Sequence, residues 1–142
     1  MSIKQILDEK GREVVTVKPT MSTMEAARLL AEYKIGAVIV TGAGDRISGI
    51  LSERDIVRAV ARKGAEALDE PISSIMTAKV ITCTESHSIN QVMELMTRGR
   101  FRHLPVEEGG KLVGVISIGD VVRRRIEDVE REAEDIKAYI AG

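Results

Sequence analysis

The strongest constraint on this chain is that it is written twice. Residues 15–40 laid on 81–106, a shift of 66, keep their pattern: Thr16 meets Thr82, Ser22 meets Ser88, Leu29 meets Leu95 and Val40 meets Val106. After a loop one residue shorter in the second copy the shift becomes 65. Gly49 then meets Gly114, Ser52 meets Ser117, Asp55 meets Asp120, Val57 meets Val122 and Arg58 meets Arg123. A unit of this size buries too little surface to stand alone, so the two copies are expected to pack on each other.

Each copy reads strand, helix, strand, strand, helix. The expected fold is α/β (α+β): two tandem β-α-β-β-α repeats forming one pseudo-two-fold module, with an extended C-terminal helix. In the first copy, Val14-Val15-Thr16-Val17 is a β-branched run ended by Pro19. Ser22-Thr23-Met24-Glu25 fits a capping box for a helix to about Tyr33, and Gly36–Val40 and Ile47–Leu51 read as strands. A helix over Asp55–Lys63 is stopped by Gly64. The second copy repeats these devices: a Ser88…Gln91 box, strands over Val80–Cys83, Phe101–Val106 and Leu112–Ile118, and a Gly109-Gly110 turn. Pro105 lacks a ladder donor and belongs at an edge or bulge. The organisation predicted is residues 1–64 as the first copy with an amino-terminal helix (Ile3, Ile6, Leu7, ended by Gly11), 65–74 as connector, 75–125 as the second copy and 126–142 as a helical extension. Ile75-Met76-Thr77 reads as a single turn entering the second copy.

Composition narrows what such a module can do. Phe101, Tyr33 and Tyr139 are the only aromatics, so base-stacking platforms for single-stranded nucleic acid are not expected. Basic and acidic residues number 21 and 22, a net charge of −1, which removes a general nucleic-acid footprint. No apolar run approaches the roughly 18 residues of a membrane span, and the start, MSIKQILDEKG, lacks the apolar core of a secretory signal. A soluble cytoplasmic protein is expected. The single cysteine, Cys83, excludes an internal disulfide and a multi-cysteine zinc site.

The sharpest constellation is Gly-x-x-Ser-x-x-Asp, at Gly49…Ser52…Asp55 and Gly114…Ser117…Asp120, where a strand ends and a helix begins. Helix amino termini present free N–H groups and partial positive charge, which suit phosphate. A carboxylate there can accept from both hydroxyls of a cis-diol, the pattern of a ribose. Ser and Asp are equally the commonest helix caps, and both readings stand at this point. No catalytic set is found: Cys83 lies in an apolar strand, His87 reads as a loop residue, and Asp55 and Asp120 sit at helix starts that favour ionisation. An enzyme is not expected.

With Ile75-Met76-Thr77 leading into Val80 and with Arg102-His103-Leu104-Pro105-Val106, the doubled motif resembles a pair of tandem CBS domains, named for cystathionine β-synthase. The resemblance covers about residues 1–125. It implies a disc-shaped regulatory module with adenosyl ligands in clefts between the repeats: AMP first, with ADP, ATP, NAD(H) or S-adenosylmethionine as alternatives. It further implies Asp55 and Asp120 as ribose ligands and Ser52 and Ser117 as their hydroxyl neighbours. The adenine wall would be Thr77, Lys79 and Val80 in the Asp55 site and Gly11–Val14, with Val14, in the Asp120 site. Arg102, His103 and Pro105, against Gly36 and Ala37 in the first copy, complete the strand side. Arg54, opposite Gly119 of the second copy, is a further phosphate candidate. Arg98, Arg100, Arg102 and His103 are expected to gather on one strand, and adenine to be held by aliphatic walls without ring stacking.

The last helix carries Val122, Ile126, Val129, Ala133, Ile136 and Ile140 at spacings of 4, 3, 4, 3 and 4, a short a/d seam. It packs on its own module or on a second copy. The resemblance implies the latter, a homodimer acting on an effector protein that the sequence does not name. The competing reading is an interaction scaffold whose Ser and Asp only cap helices.

Overall fold

The computed structural model describes residues 2–141. Helix α1 (Ile3–Lys10) is followed by β1 (Thr16–Val17), α2 (Thr23–Tyr33), β2 (Ala37–Thr41), β3 (Ile47–Ser52) and α3 (Glu53–Lys63). The second copy holds α4 (Ile89–Gly99), β4 (His103–Glu108), β5 (Lys111–Ser117) and α5 (Ile118–Ala141). Short 3-10 turns at Gly64–Asp69 and Ile72–Ser74 form the link. The architecture is mixed α/β, with a three-stranded sheet β1-β2-β3 in the first copy and a two-stranded sheet β4-β5 in the second.

The copies differ at their first strand, and one residue accounts for it. In the first copy β1 runs parallel to β2, with Val17 opposite Val40, and the Ile39 N–H donates to the Val15 carbonyl at 3.3 Å. In the second, Cys83 stands opposite Val106 as the same parallel bridge, but the expected strand over Val80–Cys83 is reduced to that bridge. Pro105 occupies the place of Ile39 and has no N–H to give the Ile81 carbonyl, so the ladder stops there. The register irregularity after Val40 is copied after Val106.

Each Ser of the doubled motif is a helix cap and each Asp stands three residues further on. The helices therefore start at Glu53 and Ile118, two residues ahead of the expected Asp starts. The Ser88…Gln91 box forms in full at 2.8 and 3.1 Å, whereas at Ser22 only the half in which Ser22 Oγ accepts from the Glu25 N–H forms. Ile75 and Met76 complete a turn, both donating to the Ile72 carbonyl at 3.1 and 2.8 Å, and the turn ends there. Thr77 pairs with Ile50 through two 2.9 Å backbone bonds and so extends the first copy's sheet.

The segments that precede the two copies are exchanged between them. The core of the first copy (Val17, Leu30, Val38, Val40, Leu51) includes Ile72 and Ile75, which lead into the second copy. That of the second (Val92, Leu104, Val106, Ile116, Val121) includes Ile3, Ile6 and Leu7 of α1, which lead into the first. This exchange makes one pseudo-two-fold module from two units that are each too small to close a core. It also sets the role of the motif glycines. A Cβ on Gly49 would lie 2.7 Å from Met76 Sδ and 2.8 Å from the Thr77 carbonyl oxygen, and one on Gly114 would lie 2.7 Å from Leu7 Cδ2. A side chain is barred at Gly49 by the crossing Thr77 backbone, whereas at Gly114 the crossing segment presents only the end of the Leu7 side chain.

Candidate functional site

The capping geometry holds Asp55 in place without using up its carboxylate. Its Oδ2 accepts from the Ser52 N–H at 3.0 Å and from Ser52 Oγ at 3.2 Å, while the Asp55 N–H donates back to Ser52 Oγ. Oδ1 meets only the Thr77 hydroxyl, at 3.5 Å. Capping and diol binding are therefore compatible: one oxygen fixes the side chain and the other remains an acceptor.

Around Asp55 opens a cleft of about 400 Å³ between the copies. Ser52, Arg54, Asp55, Thr77, Lys79, Val80, Arg102, His103 and Pro105, nine residues singled out from the sequence, all line it. Its basic side chains are Arg54, Arg58, Lys79, Arg100 and Arg102, against Glu53 and Asp55. The arginines do not share a strand as expected. Arg98 closes α4 and pairs with Glu94, Arg100 is the left-handed C-cap of that helix, and Arg102 leads into β4. The helix runs further than the strand reading allowed, and it carries Arg98 to an exposed position outside this cleft. Sequence reasoning missed Ile50, Ile81, Arg58 and Phe101. Phe101 lines the cleft at the edge of the second core, so the wall is not purely aliphatic. Its position one residue before Arg102 was the available signal.

A second cleft of about 350 Å³ is lined by Val14, Ala37 and Ser117, with Lys10, Glu13, Lys34, Gly36, His103 and Val115 among the others. Its carboxylate is arranged differently. Asp120 Oδ2 accepts from the Ser117 N–H at 2.9 Å and also from Lys10 Nζ at 2.7 Å. Asp120 lies with Lys10 in a smaller depression beside Ile6, Glu9 and Arg123, and Gly119 lines neither cleft. Burial alone would raise the Asp120 carboxyl, but hydrogen bonds from Lys10 and Ser117 outweigh it and hold the group below the ordinary carboxylate range.

His103 is the wall common to both clefts. Its ring packs against Gly36, where a Cβ would stand 3.1 Å from Cε1, so the uncharged Gly36 of the first copy makes room for the imidazole. Burial lowers its pKa, with Glu53 acting in the opposite direction. His87 sits in a loop, its Nδ1 3.0 Å from the Thr84 N. Cys83 is buried, and burial, with Glu108 adding, pushes its thiol up to about 12. No thiolate is available there at neutral pH. Among the described residues no group of three or more metal-ligating side chains forms, and no helix is long and apolar enough to cross a membrane.

The model of the CBS domain family matches residues 3–62 and 72–127 of the chain. The protein belongs to the CBS domain family. Its structure is similar to that of a CBS-domain-containing protein from Agrobacterium tumefaciens, at 53% identity and a TM-score of 0.86, over 87% of this chain and 92% of that one. A CBS domain protein from Pyrobaculum aerophilum, solved in complex with AMP, is 32% identical at a TM-score of 0.75, over 84% of this chain and 89% of that one. The CBS domain pair of protein MJ0100, solved with 5′-methylthioadenosine and S-adenosyl-L-methionine, is 26% identical at a TM-score of 0.80, over 90% and 98%. This CBS pair thus stands among relatives that hold adenosyl ligands.

Proposed function

We propose that this CBS pair is a regulatory sensor that binds an adenine nucleotide, AMP first among them, in the Asp55 cleft, and that it catalyses no reaction. The observation that carries the reading is the Asp55 carboxylate, fixed by its cap yet left with Oδ1 facing a cleft lined by five basic side chains. Asp55 accepts the ribose hydroxyls, and Thr77, Lys79 and Val80 meet the base. Arg54, Arg102 and His103 lie at the phosphate end. The AMP bound by the Pyrobaculum aerophilum relative supports this ligand class.

The α5 seam supports assembly into a homodimer. Val122, Ile126, Val129, Ile136 and Ile140 are 44–78% exposed, whereas the buried positions of the helix are Val121 and Arg124, the latter paired with Glu9 of α1. Val57 on α3, the counterpart of Val122, is 66% exposed as well. A second copy covers this face. Ile126→Lys with Ile136→Lys then converts a dimer to a monomer in analytical ultracentrifugation, and a wild-type chain that is already monomeric contradicts the assembly.

Calorimetric titration with AMP, ADP, ATP, NADH and S-adenosylmethionine, repeated on Asp55→Ala, tests the ligand. Losing hydrogen bonds to a charged acceptor costs about 3 kcal/mol, so AMP affinity should fall about a hundredfold. Absence of binding by any of the five below millimolar concentration refutes the sensor reading. Binding that survives Asp55→Ala refutes the residue assignment.

A further inference from the structure

Both copies carry the same Ser and Asp, yet Asp55 lines its cleft directly, whereas Asp120 is set back from the second cleft and bonded to a lysine of its own chain. Lys10 Nζ donates to Asp120 Oδ2 at 2.7 Å and to the Val115 carbonyl at 2.9 Å, so two of its three protons are placed. The Asp120 side chain is only 12% exposed there, and an ammonium–carboxylate bond in such surroundings is stronger than one from a neutral hydroxyl. A ribose would offer the same carboxylate two neutral O–H donors. Lys10 shares Oδ2 with the Ser117 cap, and it lines both the second cleft and the depression that holds Asp120, so its ammonium stands between that carboxylate and a diol in the cleft.

The fold fixes the backbone from which Lys10 reaches Asp120, and its side chain is 36% exposed. Lys10 is the last residue of α1, and Gly11, at φ 97°, ends the helix directly after it. The helix is anchored by buried Ile3, Ile6 and Leu7, with Leu7 seated over Gly114, and by the Glu9–Arg124 pair on α5. Withdrawing the ammonium by moving the helix would pull those residues out of the second core. The shift of 66 puts Met76 at the corresponding place before the second copy, and Met76 lays its sulfur over Gly49. The residue that precedes the first cleft in the place of Lys10 thus carries no ammonium, and Asp55 lines that cleft directly.

Building on the nucleotide reading of the Asp55 cleft, we infer that Lys10 is a built-in occupant of the second ribose position, so that each chain binds one nucleotide and not two. The duplicated motif is complete in sequence and closed in structure on one side. Removing the ammonium opens the second cleft, where Val14, Ala37 and Ser117 already line the space.

The test is the stoichiometry of AMP binding to the full chain by calorimetry. The wild type is expected to bind one AMP per chain and Asp55→Ala none. Lys10→Met, which keeps the aliphatic stem, is expected to bind two, and Lys10→Met with Asp55→Ala to recover one. That recovered event should vanish when Asp120→Ala is added. Circular dichroism melting checks that each variant is folded, and Lys10→Gln replaces Lys10→Met if the latter is not. Two AMP per wild-type chain, with one lost in Asp120→Ala, overturns the inference while leaving the sensor reading intact. So does a folded Lys10→Met/Asp55→Ala variant that binds no AMP. Absence of AMP binding to the wild type and to every variant removes the sensor reading and the inference together.

Discussion

In the first cleft the Asp55 carboxylate meets a hydroxyl at 3.5 Å, and beside the second the Asp120 carboxylate meets an ammonium at 2.7 Å. Both carboxylates come from the same motif, on the same strand-to-helix turn, capped by the same serine bonds. What separates them is the exchanged segment that crosses each motif glycine. Before the second copy that segment is extended, pairs Thr77 with Ile50 and leaves the carboxylate open. Before the first it is a helix, and its last residue is a lysine. Duplication preserves a motif, but the chemistry of each copy is decided by the neighbour it receives from the other.

This comparison can be broken at several points, and the largest expected effect is on affinity. Asp55→Asn should weaken AMP about a hundredfold, whereas Asp120→Asn should leave the first site's affinity within about twofold. Equal losses in the two variants would make the clefts equivalent. The next effect is on stability. Gly49→Ala drives a Cβ toward the Thr77 backbone and should cost about 2 kcal/mol, while Gly114→Ala meets only the end of the Leu7 side chain and should cost less. Thermal melts showing the reverse order would refute the reading of the crossing. Smaller again, Pro105→Ile restores the missing donor. It should add a slowly exchanging amide at 105 and about 1 kcal/mol of stability, and no protection at that amide would mean that another contact limits the strand.

The smallest effect belongs to His103, which lies between the clefts and faces Glu53, Lys10, Asp120 and Arg102. Its folded pKa is below the unfolded value of about 6.5. The unfolded chain thus binds more protons between the two values, and stability should fall as the pH drops from about 6.5 to the folded pKa. His103→Gln should flatten that part of the stability–pH curve. An unchanged slope would assign the dependence to other groups.

Much of this architecture was legible because it is periodic. The repeat itself, α2, α3, α4 and both turn regions follow from spacing and caps that act within a few residues. Nine of the residues read from the sequence share the first cleft because a motif that recurs in register brings its neighbours with it. What the sequence did not show depends on contacts across the chain. The loss of the Val80–Cys83 strand follows from which side of the ladder Pro105 faces, and that required the register with Cys83. Arg98 left the cleft because α4 extends to Gly99. The Lys10–Asp120 pair joins residues 110 positions apart, and no local pattern reports it. Phe101 lies in the short connection between α4 and β4, and its place beside Arg102 was the one local hint that it lines the cleft.

The most direct test of the central claim is a crystal structure of the wild-type chain with AMP. The account predicts one nucleotide per chain, with its ribose hydroxyls on the Asp55 carboxylate, its base beside Thr77 and Val80, and Lys10 still bound to Asp120. AMP seated on Asp120 with Lys10 displaced, or bound outside both clefts, would contradict it.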